Sequence, residues 1–218
     1  MESPLIEVLV LAGIAVFLIL RLKSVLGTRE GFEKPPLSGS DVRAPQRKFE
    51  VIDGRPDDDI VAYVDEGSPQ AQALADMKRA ESSFHVAEFL QGARGAYEMI
   101  LMGFETGELD GIQPFISDEI FQSFVDAVSN REDQGLTIDA EFIGVRETSI
   151  ADATFDEATS TADITVRFVG ELTSVVRDRS GEIVEGDPKA VKRQKDTWTF
   201  SRQMGGDDPN WQLVATDA

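Results

Sequence analysis

One histidine and no cysteine set the limits of the side-chain chemistry in this 218-residue chain. Without cysteine there is no thiolate nucleophile, no thiolate metal site and no disulfide, and the redox compartment stays open. His85 stands alone. Acid–base work needs a neighbour that sets the tautomer and pKa of the imidazole, and neither a metal ligand set nor a nucleophilic triad can be assembled around it. It reads as structural or exposed. The run Asp57-Asp58-Asp59 has the charge of a calcium loop but lacks that loop's glycine and closing glutamate, so it reads as a solvated acidic stretch. The residue types therefore give no catalytic residue, no cofactor motif and no metal site, and the chain is expected not to be an enzyme.

The charge excludes a further class. Forty acidic against 21 basic residues leave a formal net charge of -19, and a surface of that sign repels phosphate backbones, so no nucleic-acid partner is expected. The distribution is uneven. Residues 21–48 hold seven basic and three acidic side chains, whereas residues 49–218 hold fourteen and thirty-five. A basic collar precedes an acidic domain.

Upstream of the collar, residues 5–20 carry twelve Leu, Ile, Val and Phe with only Glu7 interrupting. Each contributes roughly -0.3 to -0.6 kcal/mol to membrane insertion, and a charge near the end of a span costs less than the about +3 kcal/mol of a central one. Sixteen helical residues reach about 24 Å of the roughly 30 Å core, and Leu22, Val25 and Leu26 extend the run while Arg21 and Lys23 snorkel. The basic residues follow the apolar run rather than precede it, unlike a signal peptide. Residues 1–26 are thus predicted to be a retained single-pass anchor with its collar, and the positive-inside bias puts the acidic domain on the cytoplasmic side. Arg21, Lys23, Arg29 and Lys34 are candidate contacts for an anionic leaflet, at about 1 kcal/mol each near the surface. Residues 27–68, punctuated by prolines and without apolar period, are predicted to be a flexible linker.

The domain beyond, residues 69–218, is organised around its last thirty residues. Trp198 and Phe200 alternate with Thr197, Thr199 and Ser201; after a turn at 205–210, Trp211, Leu213 and Ala215 alternate with Gln212 and Thr216. That is the period of a sheet buried on one face, and the turn residues close it as a hairpin whose two tryptophans share a face as the floor of the core. Ser68-Pro69 predicts a helix over 69–81. The stripe Val86, Phe89, Leu90, Ala93, Tyr97, Ile100, Leu101 and Phe104 predicts a longer one, ended by Gly107 or Gly111. Gly92 and Gly95 weaken it by about 1 kcal/mol each, which points to something approaching closely there. Ser117 caps a third helix. After Gly135 the period turns to two, with strand character over 136–145 and 150–155, clean alternation at Ala162, Ile164, Val166 and Phe168, and turns at 178–181 and 186–188. Helices first and an antiparallel meander afterwards give an α+β domain.

The segment Phe89-Leu90-Gln91-Gly92-Ala93-Arg94-Gly95-Ala96-Tyr97-Glu98-Met99-Ile100, then Phe104 with Gly107-Glu108, then Trp198-x-Phe200-x-Arg202 and Asp208-Pro209-Asn210-Trp211-x-Leu213, resembles the Tim-forty-four-like domain family. The bacterial branch, called TimA, is the most similar, down to the exit of the apolar run at residues 20–29. The resemblance covers residues 84–218 and departs from the family pattern at Glu108, where aspartate is usual. It implies a cone of the nuclear-transport-factor-two type, helices packed on a curved antiparallel sheet with an apolar pocket between them. It also implies a bacterial inner-membrane adaptor or scaffold without cofactor. Its partner would be a protein of translocase or chaperone type, and it would be linked to protein transport or membrane-protein quality control, with anionic lipid as a further ligand. Lipid or small apolar ligand binding, or an enzyme of the cone fold, are the alternatives it leaves. On that footing Tyr97, Leu101, Phe104, Phe121, Phe124, Phe142, Trp198, Phe200 and Trp211 are the candidate pocket lining, against a closed core as the plainer reading. Tyr97, Asp139 and Asp163 are the positions to inspect for the buried polar set that cone-fold isomerases and hydrolases use.

Overall fold

The computed structural model describes residues 57–217. The apolar run at 5–20, the basic residues Arg21, Lys23, Arg29 and Lys34, and the linker up to Pro56 lie outside them. Among the described residues no helix is long and apolar enough to cross a membrane.

The folded chain starts earlier than the linker reading allows. Asp57 N-caps a short helix, α1 (Asp58–Val61), by accepting from the Asp59 N–H at 3.0 Å, and its carboxylate pairs with Lys78 at 2.9 Å. Asp59 does more. It pairs with Lys78 at 2.8 Å and accepts from the backbone N–H groups of Val86 and Ala87 at 2.8 and 3.0 Å. Lys78 belongs to α2 (Pro69–Ala80), opened by Ser68, whose Oγ accepts from the Ala71 N–H, with Pro69 in the first turn. Val86 and Ala87 begin α3 (Val86–Thr106). His85, at the N-cap position of α3, makes no capping bond, so the orphan donors of this helix are met from twenty-seven residues away in sequence. The acidic run is a clasp rather than a solvated stretch. Burial pushes the Asp59 carboxyl up, but Lys78 and the two N–H groups outweigh it and hold the pKa below the usual carboxylate range. Asp59→Ala is accordingly expected to cost about 1–2 kcal/mol, the loss of a helix cap, in urea unfolding of the full chain. A cost indistinguishable from that of Asp58→Ala would show that the clasp contributes nothing.

Gly107, with φ 83°, ends α3 in the left-handed region that a side chain disfavours. A 3-10 turn (Gln113–Phe115) leads to α4 (Asp118–Asp133), capped by Ser117. The strands follow as β1 (Thr137–Asp156), β2 (Thr161–Arg177), β3 (Ile183–Gly186), β4 (Lys192–Gln203) and β5 (Gln212–Asp217). They form one antiparallel sheet in the order β1-β2-β4-β5, with β3 pairing to β2 where β4 has ended. The two strands expected over 136–145 and 150–155 are a single β1. Three register shifts against β2, at Phe142/Gly144, Val145/Glu147 and Ile150/Asp152, bend it and give the sheet its curve. Ala162, Ile164, Val166 and Phe168 turn inward from β2 and are all buried.

The terminal hairpin forms, but its phase breaks. A bulge at Val214 pairs Leu213 with Phe200 and Ala215 with Thr199, so Ala215 is carried to the exposed face instead of the buried one. Trp211 precedes β5 and stands against Phe89, at 4.7 Å between ring centroids, and Phe84, at 6.0 Å. Trp198 lies among Tyr97, Phe168 and Phe200. The two tryptophans thus belong to one core, joined through Phe200 and Phe89, with Trp198 inside it and Trp211 half-buried at its edge.

Candidate functional site

Where the start of α3 passes the end of the β4–β5 hairpin, the helix layer does not close on the sheet. A groove of about 420 Å³ remains, walled by Phe84, Phe89, Phe115, Phe200, Trp211 and Met99. On the α3 side it is lined by Gly92, Ala93, Gly95 and Ala96. A Cβ placed on Gly92 or Gly95 would meet nothing within 4 Å. Nothing inside the fold requires glycine there, although each costs a helix about 1 kcal/mol relative to alanine. The two positions keep the helix surface flat beside an aromatic wall.

The rim is polar. Arg202, from the end of β4, pairs with Glu81 and donates from Nη1 to the Pro209 carbonyl at 3.2 Å, and its guanidinium carbon sits 5.4 Å from the centroid of Trp211. Glu81 also accepts from the Gly205 N–H at 2.9 Å. The Arg202 guanidinium, with help from that N–H, holds the Glu81 carboxyl below its usual range. Only 10% of the Arg202 side chain is exposed, and its Nε–H is buried without a hydrogen-bond partner. His85 and Glu88 complete the rim on the α3 side.

The most buried polar pair lies elsewhere. Tyr97 donates to Asp196 Oδ2 at 2.5 Å, and Gln194 Nε2 donates to the other carboxylate oxygen at 3.1 Å. Tyr97 is 0% and Asp196 5% exposed. Burial first, then the Asp196 carboxylate, push the Tyr97 phenol far above its ordinary value of 10.0. The hydroxyl fits because β2 carries Gly170 beneath it, where a Cβ would stand 2.6 Å from the Tyr97 oxygen. Neither Tyr97 nor Asp196 lines the groove.

Of the nine candidate lining residues, Phe200 and Trp211 line the groove. Phe142, Phe168 and Trp198 pack around Tyr97, Phe142 only half-buried, with Leu101 buried in α3. Phe104 and Phe124 face each other at 4.6 Å, and Phe121 lines a second crevice flanked by Glu108, Asp110 and Glu132. Asp139 is exposed and pairs with Arg177 at 2.6 Å, while Asp163 sits between Thr154 and Ser201 on the outer sheet face. Sequence reasoning missed Phe84, Met99, Phe115 and Arg202 as lining, and Asp196 as the partner of Tyr97. Asp196 had a signal: it shares the inward phase of Trp198 and Phe200. Arg202 had the same one, since it continues that phase beyond Phe200.

Fold and groove together define a class of protein, an α+β domain whose helix layer leaves an aromatic-lined groove at one end of a curved antiparallel sheet. The chain belongs to the Tim44-like domain family, whose profile matches residues 70–218. It is 23% identical over 163 residues to the human mitochondrial import inner membrane translocase subunit TIM44, a match that covers 73% of this chain and 36% of that protein. The chain therefore spans little more than a third of the length of that relative. Among solved structures, the intermembrane-space region of the chloroplast protein ARC6 is similar at 10% identity and a TM-score of 0.36, over 66% of this chain and 94% of that one. That superposition is too loose to bear on function.

Proposed function

We propose that this chain is a membrane-anchored adaptor whose domain, a cone of the nuclear-transport-factor-two type, holds an apolar segment of a protein partner in the groove between α3 and the β4–β5 hairpin. The observation that carries the reading is the flat Gly92–Gly95 face of α3 in one groove with Phe200 and Trp211 of the hairpin, where glycine costs helix stability and no internal contact repays it. Family membership supports it. The human relative is by its name a subunit of a mitochondrial import translocase, which favours a partner connected with protein translocation. The apolar run at 5–20 and the basic collar Arg21, Lys23, Arg29 and Lys34 favour a bacterial inner-membrane anchor with the domain on the cytoplasmic side. A non-enzymatic reading is supported by the position of the Tyr97–Asp196 pair, which is buried away from the groove.

A photo-crosslinking residue at Gly92, in the full chain in intact membranes, should give a discrete protein adduct that is lost when Ala96 is replaced by tryptophan. The same residue at Lys195, on the outer sheet face, is the control, and equal labelling at both positions would refute the groove as the site. The Gly92→Ala/Gly95→Ala chain should be more stable than the parent by about 1–2 kcal/mol yet give less adduct. A loss of stability would mean that the glycines serve the fold instead. The buried Nε of Arg202 at the rim of an apolar groove favours one other occupant, an acyl chain with an anionic head. Transfer of the label to lipid alone would select it.

A further inference from the structure

Beyond the C-terminal end of α3, away from the groove, two features have no part in the adaptor reading. One is a ribbon. Every residue from Arg179 to Arg193 is exposed, although β3 within it is a strand paired to β2. The ribbon holds Ile183, Val184 and Val191, which are 41%, 55% and 55% exposed and are three of the five large apolar side chains exposed among the described residues. Single apolar residues on a surface are ordinary, but several together on an edge strand mark a contact. Charge is segregated about Pro188: Glu182, Glu185 and Asp187 precede it, and Lys189, Lys192 and Arg193 follow. Arg193 is held by Glu171 at 3.1 Å, whereas Lys189 and Lys192 pair with no carboxylate among the described residues. The other feature is the crevice beside α4. It measures about 590 Å³, and its apolar floor of Leu109, Phe121, Val125 and Val128 is rimmed by Glu108, Asp110 and Glu132, with no cation among its lining residues. Arg131, next to Glu132, donates to the Phe104 carbonyl at 3.3 Å instead. Phe121 and Val125 are only half-buried. Ribbon and crevice are neighbours: Arg179, at the root of the ribbon, donates to the carbonyl of Asp133, the residue after Glu132, at 2.9 Å.

We propose that this chain forms a two-fold dimer in which the ribbon of each copy lies in the crevice of the other, Val191 against Phe121 and Val125, and Lys189 and Lys192 on the carboxylates of Glu108, Asp110 and Glu132. Each patch supplies what the other lacks, apolar cover and the opposite charge. Because the two adjoin at one end of the domain, a single two-fold axis satisfies both contacts at once. The net charge of -19 does not forbid it. At physiological salt the repulsion between the bodies of two copies is screened beyond about 8 Å, while charges in contact keep most of their attraction. The groove stays open, since it uses α3 no further than Met99 and the crevice begins at Gly107. A dimer built in this way presents two grooves, so that a partner with two matching segments gains avidity without any new contact. The dimer itself does not depend on what the groove binds.

Sedimentation of the full-length chain in a non-ionic detergent tests this by exchanging charge. The parent should be a dimer at micromolar concentration. Lys189→Glu/Lys192→Glu sets an acidic ribbon against an acidic crevice, and Glu108→Lys/Glu132→Lys sets a basic ribbon against a basic crevice. Each variant alone should therefore be monomeric, with its dimer dissociation constant raised at least about tenfold. An equimolar mixture of the two restores opposite charges at both contacts and should return dimers holding one copy of each. A monomeric parent overturns the proposal, as does a mixture that stays monomeric or single variants that dimerise like the parent. All four substituted side chains are exposed, so the variants fold. The absence of cysteine gives a second measurement. Val191→Cys chains mixed with Ser129→Cys chains, position 129 lining the crevice, should form an intermolecular disulfide at least about ten times faster than Val191→Cys mixed with Arg167→Cys, on the outer sheet face. Equal rates overturn it too.

Discussion

Trp198→Ala is expected to destabilise the domain by about 3–5 kcal/mol, and Trp211→Ala by clearly less. Trp198 is 5% exposed and enclosed by Tyr97 at 4.8 Å, Phe168 at 6.0 Å and Phe200 at 6.3 Å between ring centroids. Truncating it removes the transfer energy of a large aromatic and leaves a cavity between a helix and two strands that cannot move together. Trp211 is half-buried on the groove wall, so its loss widens an existing opening and creates no new closed void. For a domain of this size about 1 kcal/mol corresponds to roughly 2–4 °C, so Trp198→Ala should lower the Tm by roughly 6–20 °C. Thermal melts of the full chain decide it, with Thr199→Ala as the control. Equal shifts for the two tryptophans would mean that the groove wall is packed as tightly as the closed core.

The second large effect concerns the bond between Tyr97 and Asp196. Tyr97→Phe keeps the ring and its stacking on Phe168 but leaves a buried carboxylate with Gln194 alone, at an expected cost of about 1.5–3 kcal/mol. The phenol is held protonated in the folded chain, far above the ordinary 10.0. A tyrosine raised in this way favours folding below pH 10.0 and weakens it above, because the unfolded chain releases its proton first. The parent should therefore lose stability steeply as pH rises beyond 10, and Tyr97→Phe should flatten that limb. Gly170→Ala tests the same place from beneath. Its Cβ would stand 2.6 Å from the Tyr97 oxygen and 2.9 Å from Cε1, which forces the ring aside, so a loss of about 1–3 kcal/mol is expected. In the double variant the oxygen is gone, so its loss should be smaller than the sum of the two single-variant losses. Full additivity, or an alkaline limb unchanged by Tyr97→Phe, would show that the hydroxyl is not seated over Gly170.

Much of the fold was legible in the sequence because it rests on local rules. Ser68-Pro69 and Ser117 start helices as capping chemistry requires, Gly107 stops one, and the period-two run from Ala162 to Phe168 faces inward along its whole length. The family resemblance was legible for the same reason, since its motifs sit on those elements. The departures occur where a residue's partner is remote. Asp59 looked like free charge because Val86 and Lys78, which bind it, are distant in sequence and come together only when α1 folds back on α2 and α3. Ala215 looked buried because strict alternation cannot foresee a bulge, which is set by how β5 must register against β4.

The site divides in the same way. By itself the sequence determined an acidic chain with one histidine, no cysteine, an apolar stripe on a glycine-bearing helix and aromatic strands, and hence an α+β domain with an aromatic-rich apolar face. Only the tertiary structure decided which apolar residues close into core and which stay open. Tyr97 and Trp198 share a periodic pattern with Phe89 and Phe200 and all four are buried, yet of the four only Phe89 and Phe200 line the groove. The physical reason is geometric. Hydrophobic periodicity fixes the face a side chain takes, whereas whether that face meets another depends on how the helices pack on a bent sheet, and the bulges that bend β1 are not recorded by periodicity.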